Sequence, residues 1–129
     1  MLDAPQVLLE FSFLRALADP DHADHSRAAA EYLALVDQFE RKELLLVAVS
    51  DHLAEFRGWM HRGPLAPLDR LWVGLQHRRA ARRLVAATGL PHDVALTLVM
   101  CERHRVRRMA TLDPTFGQFD LELLTVDPG

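Results

Sequence analysis

An α/β sandwich around a mostly parallel sheet is the architecture this sequence predicts, and three observations predict it. The run Leu44-Leu45-Leu46-Val47-Ala48-Val49 is apolar without alternation, the pattern of a central strand covered on both faces. Short apolar runs alternate along the chain with longer segments of helical periodicity, as βα units do. With 129 residues, half of them apolar, the chain is long enough to bury one core. A single domain over 1–129 is expected.

The elements follow in order. Residues 6–9 form a short strand closing on Glu10, and 11–18 a brief helix. The turn-rich Asp19-Pro20-Asp21-His22-Ala23-Asp24 connects it to a helix over 26–41. There Ala28, Tyr32, Leu35, Val36 and Phe39 recur on one face, and Arg27 and Glu31 make an i,i+4 pair elsewhere. After the strand at 44–49, Ser50 is a candidate cap for a helix over 51–61. Gly63-Pro64-Leu65-Ala66-Pro67 breaks the chain. Asp69 then caps a helix over 69–87, ended by Gly89 and Pro91. On its wheel Arg78, Arg79, Arg82 and Arg83 share one arc and Ala80, Ala81, Leu84 and Val85 the opposite one. Leu71, Trp72 and Leu75 fall on the arginine side, which calls for a bend near Gly74 or a change of packing partner. A helix over 93–104 is apolar nearly all round and so buried. A strand over 106–112 and an edge strand over 121–126 complete the pattern.

The net charge of −3 hides an asymmetry. Residues 1–55 carry 11 acids and four bases, residues 56–108 three acids and 11 arginines, and residues 109–129 four acids and no base. A polyanionic partner for the middle third and a merely solvated arginine face explain this equally well. The lone Cys101 reads as a small buried hydrophobe in a reducing compartment. No uncharged run has the length of a membrane span, and Asp3 and Glu10 replace any basic leader, so the expected location is cytoplasmic.

In a parallel sheet, strand C-termini and the N-termini of the following helices share one edge, where ligands bind. Glu10 and Asp113 end strands. Glu55 lies in the second turn of a helix that follows a strand, and Asp93 starts a helix that runs antiparallel to the strand after it. All four acids therefore map to one edge. Crowded carboxylates repel until protonation or a cation relieves them. Oxygen donors without Cys or His select Mg²⁺ or Mn²⁺, and such ions suit hydrolysis of a phosphodiester. Each acid also has a structural explanation of its own. Asp93 suits an N-cap, Asp113 before Pro114 a turn, and Glu55 a solvated helix face. Glu10 between Leu9 and Phe11 is harder to explain so, because a charge ending a buried strand is costly without compensation.

Four segments carry a resemblance: Val7-Leu8-Leu9-Glu10-Phe11-Ser12-Phe13-Leu14, Ser50-Asp51-His52-Leu53-Ala54-Glu55, Gly89-Leu90-Pro91-His92-Asp93-Val94-Ala95-Leu96 and Ala110-Thr111-Leu112-Asp113-Pro114-Thr115-Phe116. In their order and separations the chain resembles a PIN domain, and more closely the VapC-type toxin ribonucleases. The resemblance implies a three-layer α/β/α sandwich and metal-dependent cleavage of RNA. It also implies a homodimer and a small VapB-like antitoxin as partner. Carried over, Glu10, Glu55, Asp93 and Asp113 hold Mg²⁺ or Mn²⁺, and Ser12 and Thr111 orient the acids or water. Two departures stand out: Glu10 where the family has Asp, and Asp113-Pro114-Thr115 where some relatives carry a further acid. A degenerate scaffold that binds RNA or a protein without cutting is the alternative. A third reading is a binding module whose acids are only caps and turns.

The arginines divide by expected position. Arg78, Arg79, Arg82 and Arg83 are expected near the acidic edge, as a track for an RNA backbone. Arg103, Arg105, Arg107 and Arg108 belong at the opposite edge, as solvated or interface charges. Asp21-His22-Ala23-Asp24-His25 reads as a surface loop rather than a metal motif. Leu71, Trp72 and Leu75 are core residues or a groove for a partner chain. There is no glycine-rich phosphate loop and no G-x-S-x-G nucleophile motif.

Overall fold

The structure, a computed structural model, describes residues 5–56, 65 and 67–124. Its strands are β1 (Gln6–Leu9), β2 (Leu45–Val49), β3 (Asp69–Leu71), β4 (Arg108–Ala110) and β5 (Glu122–Leu123). Its α-helices are α1 (Phe11–Ala18), α2 (His25–Glu40), α3 (Leu75–Thr88) and α4 (His92–His104). Two 3₁₀ turns, Ser50–Phe56 and Pro114–Gln118, follow β2 and β4. All the strand pairs are parallel, in the order β3-β2-β1-β4-β5.

Strand alternation sends successive side chains to opposite faces, and both faces are covered. Val7, Leu9, Leu46, Ala48 and Ala110 pack with Phe13, Leu14 and Leu17 of α1 and with Ala28, Tyr32 and Leu35 of α2. Leu8, Val47, Val49, Leu71 and Met109 pack on the other side with Ala81 of α3 and Val94, Ala95, Val99 and Met100 of α4. The result is the three-layer α/β/α sandwich expected from the sequence. Among the described residues no helix is long and apolar enough to cross a membrane.

Several boundaries differ from expectation. The helix over 69–87 is in fact a strand followed by a shorter helix. Asp69, Arg70 and Leu71 pair with Val47, Ala48 and Val49, and a three-residue strand is too short to leave a periodic signal. Leu71 is thereby a strand residue buried in the core facing α3 and α4, Trp72 is 68% exposed in the connection, and Gly74 is the cap residue of α3. No bend is needed: the mismatched apolar residues were never on the arginine helix, apart from Leu75 at its start. The α3 helix ends on Gly89 at φ 75°, a left-handed conformation that favours glycine. Ser50 does not cap a helix; its Oγ accepts from Val73 N at 3.2 Å and ties the exits of β2 and β3 together. The helix over 51–61 is a 3₁₀ turn as far as Phe56, and its remainder lies outside the described residues. The strand over 106–112 contracts to Arg108–Ala110. The edge strand over 121–126 is β5 alone, its last two positions lying outside the described residues.

Cys101 is buried and reduced, and burial pushes its thiol up to about 12. It should resist alkylation at pH 8 in the native protein and react fully in denaturant. Phe116 is wholly buried in the turn after β4. Phe116→Ala should lower stability in urea denaturation by about 3–5 kcal/mol. Leu33→Ala, at a position 70% exposed, should stay within about 0.5 kcal/mol.

Candidate carboxylate pocket

The chain leaves β1 for β2 on one side, whereas β4 enters on the other. The loops following β1 and β4 therefore diverge, and a crevice opens between them at the switch in strand order. Glu10 directly follows β1, and its N–H donates to Ala110 O at 3.0 Å. This extends the ladder by one residue and places Glu10 beside Thr111, the first residue after β4.

Glu10 has two structural duties there. Its Oε1 accepts from Ser12 N at 3.0 Å, which caps α1. The same oxygen accepts from the Ser12 hydroxyl and, at 2.6 Å, from the Thr111 hydroxyl. Each hydroxyl has lone pairs to spare. Thr111 Oγ1 accepts from Asp113 N at 3.0 Å, and Ser12 Oγ accepts from Leu112 N at 3.0 Å. Asp113 Oδ1 in turn accepts from Thr115 N at 2.9 Å and caps the 3₁₀ turn. Glu10 is 7% exposed and Thr111 fully buried. Ser12 and Thr111 thus both donate to the Glu10 carboxylate.

An open pocket of about 500 Å³ lies over this network, and Glu10, Ser12, Asp93 and Asp113 are in its wall. A neighbouring recess of about 230 Å³ contains Asp51, His52 and Glu55 and shares Phe11 and Asp93 with the first. Three of the four predicted acids therefore share one pocket, and exposed Glu55 joins them through the recess. Asp93 is not a cap: Pro91 precedes the helix as cap residue, and Asp93 stands exposed in the first turn of α4. The positive end of that helix favours its charge.

Among the described residues no three His, Cys, Asp or Glu side chains are grouped closely enough to hold one ion between them. Glu10 and Asp113 each turn one oxygen onto backbone or hydroxyl donors, while Asp93 and Glu55 stand at the rim. The donor chemistry nonetheless fits Mg²⁺ or Mn²⁺. All the ligands are hard oxygens, and Mg²⁺ keeps several waters and is held by one or two carboxylates plus substrate phosphate rather than by a complete protein cage. Glu10 Oε2 and Asp113 Oδ2 take no part in the bonds above.

The arginines are placed less simply. Arg78 grips Asp51 at 2.6 and 3.2 Å, so one member of the expected track is bound to the recess wall. Arg79, Arg82 and Arg83 are exposed on α3. The ring of His77 meets that of His104 at 6.3 Å, so α3 starts beside the end of α4 remote from Asp93. Arg107 and Arg108 pair with Asp120 and Glu122 where the chain enters β4.

Sequence reasoning missed three residues of this region. His52 packs against Phe11 at 5.5 Å. Burial pushes its imidazole below the ordinary range, against the opposing pull of Asp93, Glu10 and Asp51, with His92 adding to the fall. Its place in one turn with Glu55 was the available signal. Arg15 and His22 also line the larger pocket. His22 belongs to the stretch expected to be a surface loop, and it is one, a run of turns whose residues are exposed or half-buried, with His22 and Asp24 lining the larger pocket.

No family model matches the sequence, and no curated protein matches it. Solved structures do match. The toxin VapC20 of Mycobacterium tuberculosis, described as cleaving the sarcin-ricin loop, superposes with a TM-score of 0.66 at 13% identity, over 90% of this chain and 98% of its own. VapBC2 of Rickettsia felis, solved bound to a promoter DNA fragment, gives a TM-score of 0.60 at 14% identity, over 95% of this chain and 99% of that one. At such identities the likeness is one of fold, and the fold is that of the PIN-domain toxins.

Thr111→Val keeps the shape but leaves Asp113 N–H without this acceptor and Glu10 with one donor fewer. It should lower stability by about 1–3 kcal/mol in chemical denaturation. His52, whose folded value is depressed, contributes stability above the ordinary imidazole range. That stability is lost as pH falls through about 6.5 towards the lower folded value. His52→Gln should therefore flatten the fall in melting temperature between pH 7.5 and 5.5.

Proposed function

We propose that this protein is a metal-dependent endoribonuclease of the VapC toxin kind, hydrolysing RNA phosphodiesters at the carboxylate pocket. The observation that carries the reading is the convergence of Glu10, Asp93 and Asp113 on one pocket at the strand-order switch of a PIN-type fold. Residues far apart in the chain meet where such a sheet binds ligands. Asp93 and Asp113, with the second oxygen of Glu10, would hold Mg²⁺ or Mn²⁺, and Glu55 would serve from the recess. Bound there, such an ion would supply Lewis-acid polarisation of a phosphodiester and a more acidic bound water. The chain's own residues supply orientation. Ser12 and Thr111 fix one oxygen of Glu10, and Thr115 N fixes one oxygen of Asp113. Arg79, Arg82 and Arg83 are exposed cations suited to a more distant stretch of RNA backbone.

The Rickettsia complex supports a small VapB-like antitoxin as partner, and a cytoplasmic homodimer is the further expectation that goes with the VapC reading. A second reading, a PIN scaffold that binds RNA or a protein without cutting, is favoured by two observations. Glu10 Oε1 is already taken by Ser12 and Thr111, and no three-ligand cluster is preformed among the described residues.

Mn²⁺ titration by calorimetry, with cleavage of a labelled RNA in Mg²⁺, separates the readings. For the nuclease, Asp93→Asn and Asp113→Asn should each weaken Mn²⁺ binding and reduce cleavage by at least about 100-fold, the upper range for loss of a group that merely supports a metal ligand. Glu10→Asp should raise cleavage if the longer side chain is costly, and it keeps a good N-cap. Metal binding and RNA binding with no turnover in any variant would establish the scaffold instead.

A further inference from the structure

The pocket wall contains a charge problem and two groups suited to relieve it. Glu10, Asp24, Asp93 and Asp113 all line it, so an entering phosphodiester meets several negative charges at short range. Asp24 is offset by Arg27 at 3.2 Å, but the remaining acids have no such pairing among the described contacts. Arg15 and His22 stand in the same wall. Among the described residues Arg15 forms no ion pair with a carboxylate; its guanidinium lies over the Phe11 ring, 5.7 Å from the centroid. That contact keeps the cation at the pocket, because Phe11 is itself a wall residue. His22 is set by its loop. Its Nδ1 accepts from Asp24 N at 3.0 Å, so the ring proton is on Nε2 and the ring presents a donor rather than a metal-binding lone pair. The loop is pinned on both sides, by His22 N to Asp19 O at 3.0 Å and by His25 Nδ1 against Ala16 O at 2.9 Å.

We propose that Arg15 and His22 are the anion-receiving side of the carboxylate pocket, taking the non-bridging oxygens of the RNA phosphate next to the one that is cut. The inference rests on the nuclease reading and names its substrate-positioning groups. Arg15 contributes charge and His22 a single directed N–H. Acids and anion donors thus share one pocket lining, so the donors offer an entering phosphate a place among the carboxylates.

The test is binding without turnover. A fluorescein-labelled 12-nucleotide RNA of mixed sequence is titrated by anisotropy in EDTA, at pH 8, across 50–250 mM KCl. Arg15→Gln should weaken binding about fivefold or more and reduce the magnitude of the salt slope by about 0.7, the value for one phosphate contact on a single strand. His22→Ala should weaken binding with an unchanged slope, and His22→Gln, which restores an N–H, should recover much of the loss. Arg107→Ala, at the far edge, serves as the control. Wild-type affinity in both Arg15→Gln and His22→Ala, or an equal slope change in Arg107→Ala, overturns the inference while leaving the nuclease reading intact. No RNA binding by the unaltered protein overturns the inference, and no Mn²⁺ binding in a parallel titration overturns the nuclease reading with it. Melting temperatures of the variants show whether they fold.

Discussion

Glu10 carries its carboxylate into a position only 7% exposed, where an unpaired negative charge would be strongly unfavourable. Three donors on one oxygen compensate it, two from Ser12 in the following turn and one from Thr111 about a hundred residues later. The same two hydroxyls then accept from Leu112 N and Asp113 N. One buried charge thus determines how the chain leaves β4, and with it where Asp113 stands. Satisfying Glu10 and building the pocket wall are the same set of bonds.

The sheet supplies the other half of the arrangement. Because β1 is central and the chain leaves it in one direction and returns beside it from the other, a crevice at its C-terminal end is unavoidable. The α4 helix starts at that edge and brings Asp93, while the turn after β2 brings His52 and Glu55. Pocket and recess are consequently built from five separate parts of the chain, each short and each beside a strand end or a helix start. The pocket's carboxylates suit a hard divalent ion, which under the proposed reading would draw its remaining ligands from water and substrate.

The Glu10 side chain folds back onto Ser12 N and meets Thr111 with one oxygen, so the residue is helix cap, inter-strand tie and pocket acid together. An isolated look at Glu10 suggests a misplaced ligand; its partners show a residue whose charge is first used to hold two strand exits together.

How far the sequence alone reached can be judged element by element. The run at 44–49, the periodicity at 26–41 and the short pieces 6–9 and 11–18 carried a local signal strong enough to give the strand or helix, because each had to bury a whole face. The convergence of Glu10, Asp93 and Asp113 was legible too, since it follows from topology rather than from side-chain detail. β3 was not legible, because three residues have no period and only pairing with β2 makes them a strand. Nor was the presence of Arg15 and His22 in the pocket lining, since it depends on how α1 and the turn after it pack at the acidic edge. Hydrophobic periodicity and chain order are properties of the sequence itself, and they determined the fold class and which acids share an edge. The direction in which each carboxylate points, and what stands opposite it, depends on contacts between residues far apart in the chain, and only the tertiary structure decided those.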